Sequence, residues 1–250
     1  MKNKPSLLKE HLTYLNLKFI HDQHPEMATQ AAAQQWDHLE YLGRLIEGEY
    51  NQQRQRRIQG RIKTARIPVI KTLEQFQWDH LKKINRLQVQ NLFRLEFIAQ
   101  KANVVFLGPV GVGKTHLASA LAYAACLEDN SVLFAGAIEV INDLQGAQKT
   151  GGLNHALKKY LRPQLLILDE VGYLPIDQKG ADLLFQVIGQ RYERGSIVLT
   201  TNKPFRQWPS IFNNDSTIAS AVLDRLLHHA DPVVIEGSSY RMKDQPEAKE

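Results

Sequence analysis

The run Gly108-Pro109-Val110-Gly111-Val112-Gly113-Lys114-Thr115 fits the spacing G-x-x-x-x-G-K-T. Each residue type has a use in holding phosphate. The glycines let main-chain N–H groups turn inward around an anion, and a helix starting at the end of the loop adds positive potential. Lys114 supplies a compact positive charge for the β- and γ-phosphates, and the Thr115 hydroxyl is a ligand for Mg²⁺. His116 follows directly and opens the helix-forming stretch that runs to Leu127. Residues 108–116 are therefore the expected phosphate-binding run, with ATP and Mg²⁺ as the cofactors.

A second group of polar residues closes the apolar run Leu165-Leu166-Ile167-Leu168, which ends in Asp169-Glu170. Ligands bind at the carboxyl ends of buried parallel strands, so Asp169 is expected beside the phosphate loop as a Mg²⁺ ligand, directly or through water. Glu170 is the candidate for polarising an attacking water. The plainer alternative is that the two acids cap a strand before the turn at Gly172. An acid directly after the metal-binding acid points to water as nucleophile, hence to hydrolysis; a kinase needs a second substrate pocket and a basic lid. The run Ile197-Val198-Leu199-Thr200-Thr201-Asn202 has the same form. It offers Asn202 for the γ-phosphate or the water, against the alternative of a turn residue before Lys203-Pro204.

These residues need a scaffold that brings several strand ends together. Short apolar runs at Val104–Leu107, Val132–Ala135, Leu165–Leu168, Ile197–Thr200 and Val233–Ile235 alternate with longer helical patterns. Such alternation predicts a mostly parallel sheet covered by helices on both faces. The first 50 residues hold no β-rich run. Leu8, Leu12, Leu15 and Phe19 recur on one helical face, and Leu39, Leu42 and Ile46 repeat the pattern with Trp36 nearby. His24-Pro25-Glu26 predicts a break between two helices. Between residues 52 and 71, Arg54, Arg56, Arg57, Arg61, Lys63, Arg66 and Lys71 follow one another with no acid between them, as a basic linker or as the basic end of a helix. The expected organisation is a helical domain over residues 1–60, an α/β domain over 61–245, and a polar tail over 246–250.

Composition narrows the class. The chain has 250 residues, of which 43% are hydrophobic, enough for a sizeable core, and its net charge of +5 favours a polyanionic partner. The single cysteine, Cys126, lies in an apolar run and reads as a small buried hydrophobe. Lys9, Glu10 and His11 interrupt any signal-peptide core, and no stretch reaches the ~20 apolar residues of a membrane span, so a soluble, cytoplasmic protein is expected. The histidine pairs His21/His24 and His228/His229 have no convincing metal spacing and are expected to stand without acidic or cysteine companions of ligand type.

Taken in order, Gly108–Thr115, Leu165–Glu170, Thr200–Asn202, Arg225 and Arg241 resemble an AAA+ ATPase, and more narrowly its IstB-like and DnaC-like branch. The resemblance spans roughly residues 60–245. It includes the lead-in from Arg57 to Trp78, with Lys71-Thr72-Leu73-Glu74-Gln75-Phe76, and the endings Asp224-Arg225-Leu226-Leu227-His228-His229-Ala230 and Gly237-Ser238-Ser239-Tyr240-Arg241. Gln77 and Ser238 depart from the acidic residues common there. The resemblance implies an AAA+ P-loop fold with a five-stranded parallel sheet, preceded by a small all-helical domain. It implies Asn202 as first sensor, Arg241 as second sensor and Arg225 as an arginine finger that completes a neighbouring subunit's site. It also implies a head-to-tail homo-oligomer, ring or helical, that binds duplex DNA and recruits and stimulates a cognate transposase.

Two surfaces are candidates for DNA: the basic segment Arg54–Lys71, and a helical insert with Lys149, Lys158 and Lys159 broken by Gly151-Gly152. Both would contact phosphate and give salt-sensitive binding with little sequence preference. The rival functions are a DnaC-like helicase loader, a small-molecule P-loop kinase, and a nucleotide-locked binding protein with negligible turnover.

Overall fold

The structure is a computed structural model and describes residues 4–240. Arg241 and the tail from 246 to 250 lie outside the described residues. The chain divides into two compact units, one ending at Gly60 and one beginning at Arg61.

The N-terminal unit is built from α1 (Lys4–Tyr14), α2 (Lys18–Gln34) and the start of α3 (His38–Ala65). The break expected at Pro25 does not occur: α2 runs straight through it. Proline removes one N–H from the helix, leaving the carbonyl of His21 without its usual donor. The His24 side chain compensates, because its Nδ1 lies 3.1 Å from the His21 carbonyl and 2.9 Å from that of Ile20, and only a donor can pair with a carbonyl. The helices separate instead near Asn16 and Gln35, both at positive φ.

The expected apolar faces also pack differently. Leu12, Ile20 and Leu45 form the small core, joined by Phe19 and Tyr41, while Leu39, Leu42 and Ile46 face solvent. The face of α3 that turns inward is Tyr41–Leu45–Gly48, because Gly48 leaves room for a large ring: a Cβ there would sit 2.1 Å from Phe19. The basic run continues α3 as far as Ala65 rather than forming a linker.

The second unit opens with β1 (Leu81–Lys83), α4 (Arg86–Leu92) and α5 (Glu96–Ala99). Then follow β2 (Asn103–Leu107), α6 (Lys114–Leu127), β3 (Val132–Gly136), α7 (Ala137–Lys149), α8 (Leu153–Leu161), β4 (Leu165–Val171), α9 (Gln178–Arg191) and β5 (Ser196–Thr201). A 3₁₀ turn (Phe205–Ser210), α10 (Ser216–Leu227), β6 (Ala230–Val234) and β7 (Glu236–Gly237) complete it. The five strands β2 to β6 form one parallel sheet in the order β3-β4-β5-β2-β6. Strand β6 begins three residues before the predicted Val233 and carries Pro232, which an edge strand tolerates. A small antiparallel pairing of β1 with β7 was not expected.

Period-two alternation splits the strand side chains between two cores. Val104, Phe106, Leu165, Ile167 and Val198 pack with α6, including Cys126; Val105, Leu166, Leu168, Ile197 and Leu199 pack with α7, α9 and α10. Both faces are dry, so these strands read as unbroken apolar runs, and each fully buried Leu or Phe contributes about 1.5–3 kcal/mol. The most deeply buried of the charged side chains is Arg191, at the end of α9, which is 1% exposed. Its Nη1 and Nη2 donate to the carbonyls of Tyr160, Leu161, Pro163, Gln164 and Ser196. Burial pulls its guanidinium down to about 10, so it stays charged at neutral pH.

Candidate functional site

The loop between β2 and α6 takes the shape that its glycines allow. Gly111 and Gly113 have φ of 82° and 96°, which side-chain-bearing residues rarely adopt. A Cβ on Gly113 would meet Phe76 at 2.5 Å, and one on Gly108 would meet the Ile235 carbonyl at 2.3 Å. Lys114 is 4% exposed and its ammonium donates to the carbonyls of Gly108 (2.8 Å) and Pro109 (2.6 Å), so the loop itself holds the charge in place. Val112 is buried as a loop anchor, while Val110 is exposed.

The acidic strand end comes to the loop as expected. The Thr115 hydroxyl lies 3.0 and 3.1 Å from the two carboxylate oxygens of Asp169. Thr200, from the neighbouring strand β5, donates to Asp169 Oδ1 at 2.5 Å and accepts the Glu170 N–H at 2.9 Å. Glu170 has φ of 61°, and the β4–β5 register shifts between Leu168 and Val171. This kink takes the Glu170 side chain out of the strand ladder and onto the cavity wall.

A cavity of about 640 Å³ lies over the loop, lined on one side by Lys114, Thr115 and Glu170 and on the other by the lead-in residues Pro68–Lys71, His80 and Tyr240. That volume falls in the range of small-molecule sites. The lead-in is tied down from the loop side. His116 Nε2 donates to the Thr72 carbonyl at 2.9 Å and its ring meets Phe76 edge-on at 5.2 Å. Burial, with Lys71 adding to it, holds the His116 imidazole below its usual range, so it is neutral. Its ring thus clamps the lead-in, while its main chain belongs to the first turn of α6. Across the cavity, both ring nitrogens of His80 are buried with no partner among the described residues. The Tyr240 N–H donates to the Gly111 carbonyl. The inward-turned loop, the buried ammonium and the hydroxyl–carboxylate pair suit a nucleoside triphosphate and an oxygen-preferring cation such as Mg²⁺.

Residues 10–248 match the family described as IstB-like ATP binding protein. The chain belongs to that family. It is 40% identical over 97% of its length to a Pseudomonas aeruginosa protein described as the ATP-binding protein of insertion sequence IS21, of which it covers 88%. It is 38% identical over 98% of its length to the counterpart of insertion sequence IS232 from Bacillus thuringiensis subsp. berliner, covering 97% of that protein. Among solved structures, DnaA bound to AMPPCP and single-stranded DNA aligns with a TM-score of 0.55 at 23% identity, over 67% of this chain and 50% of that one. The DnaC helicase loader aligns with a TM-score of 0.51 at 23% identity, over 63% of this chain and 93% of that one. These are AAA+ proteins, so the sheet and its helices form the AAA+ P-loop fold.

The remaining expected site residues of this IstB-like chain are placed as follows. Asn202 directly follows Thr201, which is in register with Leu107 of β2 and Val171 of β4, so it stands at the same sheet end as the loop. Its buried Oδ1 has no partner among the described residues. Arg225 does not line the cavity: its guanidinium lies 4.7 Å from the Phe185 ring and donates to the Ala221 carbonyl. Sequence reasoning gave Thr200 no role of its own and missed His80. A hydroxyl in the register position beside Asp169 was the available signal for the first; the second is recognisable only once β1 has paired with β7. It also missed Glu193, whose Oε1 lies 3.6 Å from His229 Nε2 and gives the His228–His229 pair an acidic companion on the surface. Among the described residues no helix is long and apolar enough to cross a membrane.

Proposed function

We propose that this protein hydrolyses ATP and uses the ATP-bound state to assemble head to tail on duplex DNA, where it recruits and stimulates the transposase of an insertion sequence. The observation that supports it most is the hydrogen-bonded group Thr115–Asp169–Thr200–Glu170 under a complete phosphate loop, in a chain whose relatives are described as insertion-sequence ATP-binding proteins.

In this reading Gly108–Thr115 wraps the phosphates. Lys114 exchanges its two loop carbonyls for phosphate oxygens, so its ammonium has hydrogen-bond acceptors in both states. Thr115 and Asp169 would hold Mg²⁺, which would supply positive charge against the phosphates. Glu170 and Asn202 orient the water that attacks the γ-phosphorus, giving ADP and phosphate. The lead-in segment and His80 enclose the nucleoside. Arg241 senses the bound nucleotide from the segment after β7. Arg225, which does not line its own cavity, acts on the site of a neighbouring copy; an arginine supplied in this way is worth about 10³–10⁵ in rate in GTPases.

Sedimentation with ATP, ADP or no nucleotide, with and without duplex DNA and with Lys114→Ala as control, tests this. The expected result is a large, salt-sensitive complex with ATP and DNA that the variant does not form. A protein that stays small and ignores duplex DNA in every state overturns it. Capture of a replicative helicase in place of a transposase by the full chain would turn the reading to a DnaC-like loader.

A further inference from the structure

The two basic segments that looked separate in the sequence meet in the second unit. A groove of about 570 Å³ is lined by Arg61, Lys63 and Arg66 from the end of α3 and just beyond it, by Lys159 and Arg162 from the end of α8, and by Val132 and Leu133 of the edge strand β3. Among the described residues no acid lines it. Three of the five cations are steadied by acids that do not line it: Arg61 by Asp129 at 2.5 Å, Arg66 by Glu139 at 3.7 Å and Lys159 by Asp143 at 2.9 Å. Lys63 and Arg162 are exposed and form no ion pair with any described residue.

Cations often gather at helix C-termini to answer exposed carbonyls. At α8 that explanation is already used up. Arg191 reaches from the core and takes the carbonyls of Tyr160, Leu161, Pro163 and Gln164. Arg162 is thus left with no internal acceptor to serve, on the rim of a groove whose other walls are also cationic. The lining contains no Phe, Tyr or Trp, so it lacks the stacking platform by which unpaired bases are held. What it offers is closely spaced positive charge, including guanidinium forks that match phosphate geometry.

We propose that this groove grips the phosphodiester backbone of duplex DNA. The proposal rests on the DNA-binding reading given above and assigns the contact to Lys63 and Arg162, with Arg61, Arg66 and Lys159 contributing field. Lys149 and Lys158 do not line the groove and are not part of it.

The test is the salt dependence of binding to a fluorescein-labelled duplex, by anisotropy, for the full chain and for Lys63→Gln/Arg162→Gln. The control is Arg94→Gln/Lys101→Gln, which removes the same two charges from a different surface cleft. The expected result is a slope of log K against log salt that is shallower by about 2 in the groove variant, with affinity lowered alike for unrelated sequences and unchanged in the control. Binding of a fluorescent ATP analogue should match the wild type in both. Wild-type slope and affinity in the groove variant overturn the groove while leaving the function standing, as do equal losses in the two variants. A wild-type chain that binds no duplex in any nucleotide state overturns both. If a polyglutamate peptide loses binding to the groove variant while the duplex does not, the groove serves an acidic protein and the proposal fails.

Discussion

Thr200 donates its hydroxyl hydrogen to Asp169 at 2.5 Å while accepting the main-chain N–H of Glu170. One hydroxyl therefore fixes both acids of the site. Thr200→Val keeps the shape and removes the hydroxyl. Groups that orient metal ligands typically cost about 10–100-fold when lost. We expect ATP turnover to fall by about that factor, with a raised Mg²⁺ requirement and unchanged binding of a fluorescent ATP analogue without Mg²⁺. A Mg²⁺ titration of phosphate release measures it, and wild-type kinetics would show that Asp169 needs no such support.

Gly113→Ala places a methyl 2.5 Å from Phe76 on a backbone with φ of 96°. It should weaken nucleotide binding by on the order of tenfold or more, about 1.4 kcal/mol, and lower the Tm. Gly43→Ala is the contrast. It lies exposed within α3 with nothing within 4 Å of the added carbon, and it should stabilise the helix by about 1 kcal/mol. Thermal melts and nucleotide titrations of the pair separate loop geometry from general glycine effects.

Arg191→Met removes a donor from five carbonyls at once, of which Gln164 keeps the Ser196 N–H. Each buried acceptor left unpaired costs about 1–3 kcal/mol, so the loss should be on the order of 3 kcal/mol or more. Urea unfolding gives the value. A loss below about 1 kcal/mol would mean that water replaces the guanidinium.

Burial pushes the Cys126 thiol up from 9.0 to about 11. At pH 8 it should react with thiol reagents only as fast as the protein unfolds. The folded pKa lies above the unfolded one, so its contribution to stability is complete below pH 9 and is lost as pH rises from 9 to about 11. The slope in that window approaches about 1.4 kcal/mol per pH unit. Cys126→Ala should flatten this part of an alkaline unfolding curve, and an unchanged curve would show that the thiol titrates normally.

The sheet and the phosphate loop were legible because their signals are local. A strand buried on both faces is an unbroken apolar run, and Gly108–Thr115 fixes its own backbone. What escaped depended on residues distant in the chain. The β1–β7 pairing joins Leu81 to Gly237, and His228–His229 meets Glu193 across two helices. The inward face of α3 was set by the close approach of the Phe19 ring to Gly48, so the neighbouring stripe through Leu42 and Ile46 gave a misleading periodicity. Pro25 misled because a side chain three residues from His21 supplies the missing donor.

Glu170 holds a left-handed backbone that costs an ordinary residue roughly 1–2 kcal/mol. Glycine would adopt it freely. A selection for heat tolerance alone would therefore reward Glu170→Gly, discarding the carboxylate proposed to orient the attacking water. At this one position endurance and turnover pull against each other, and the chain carries the less durable choice.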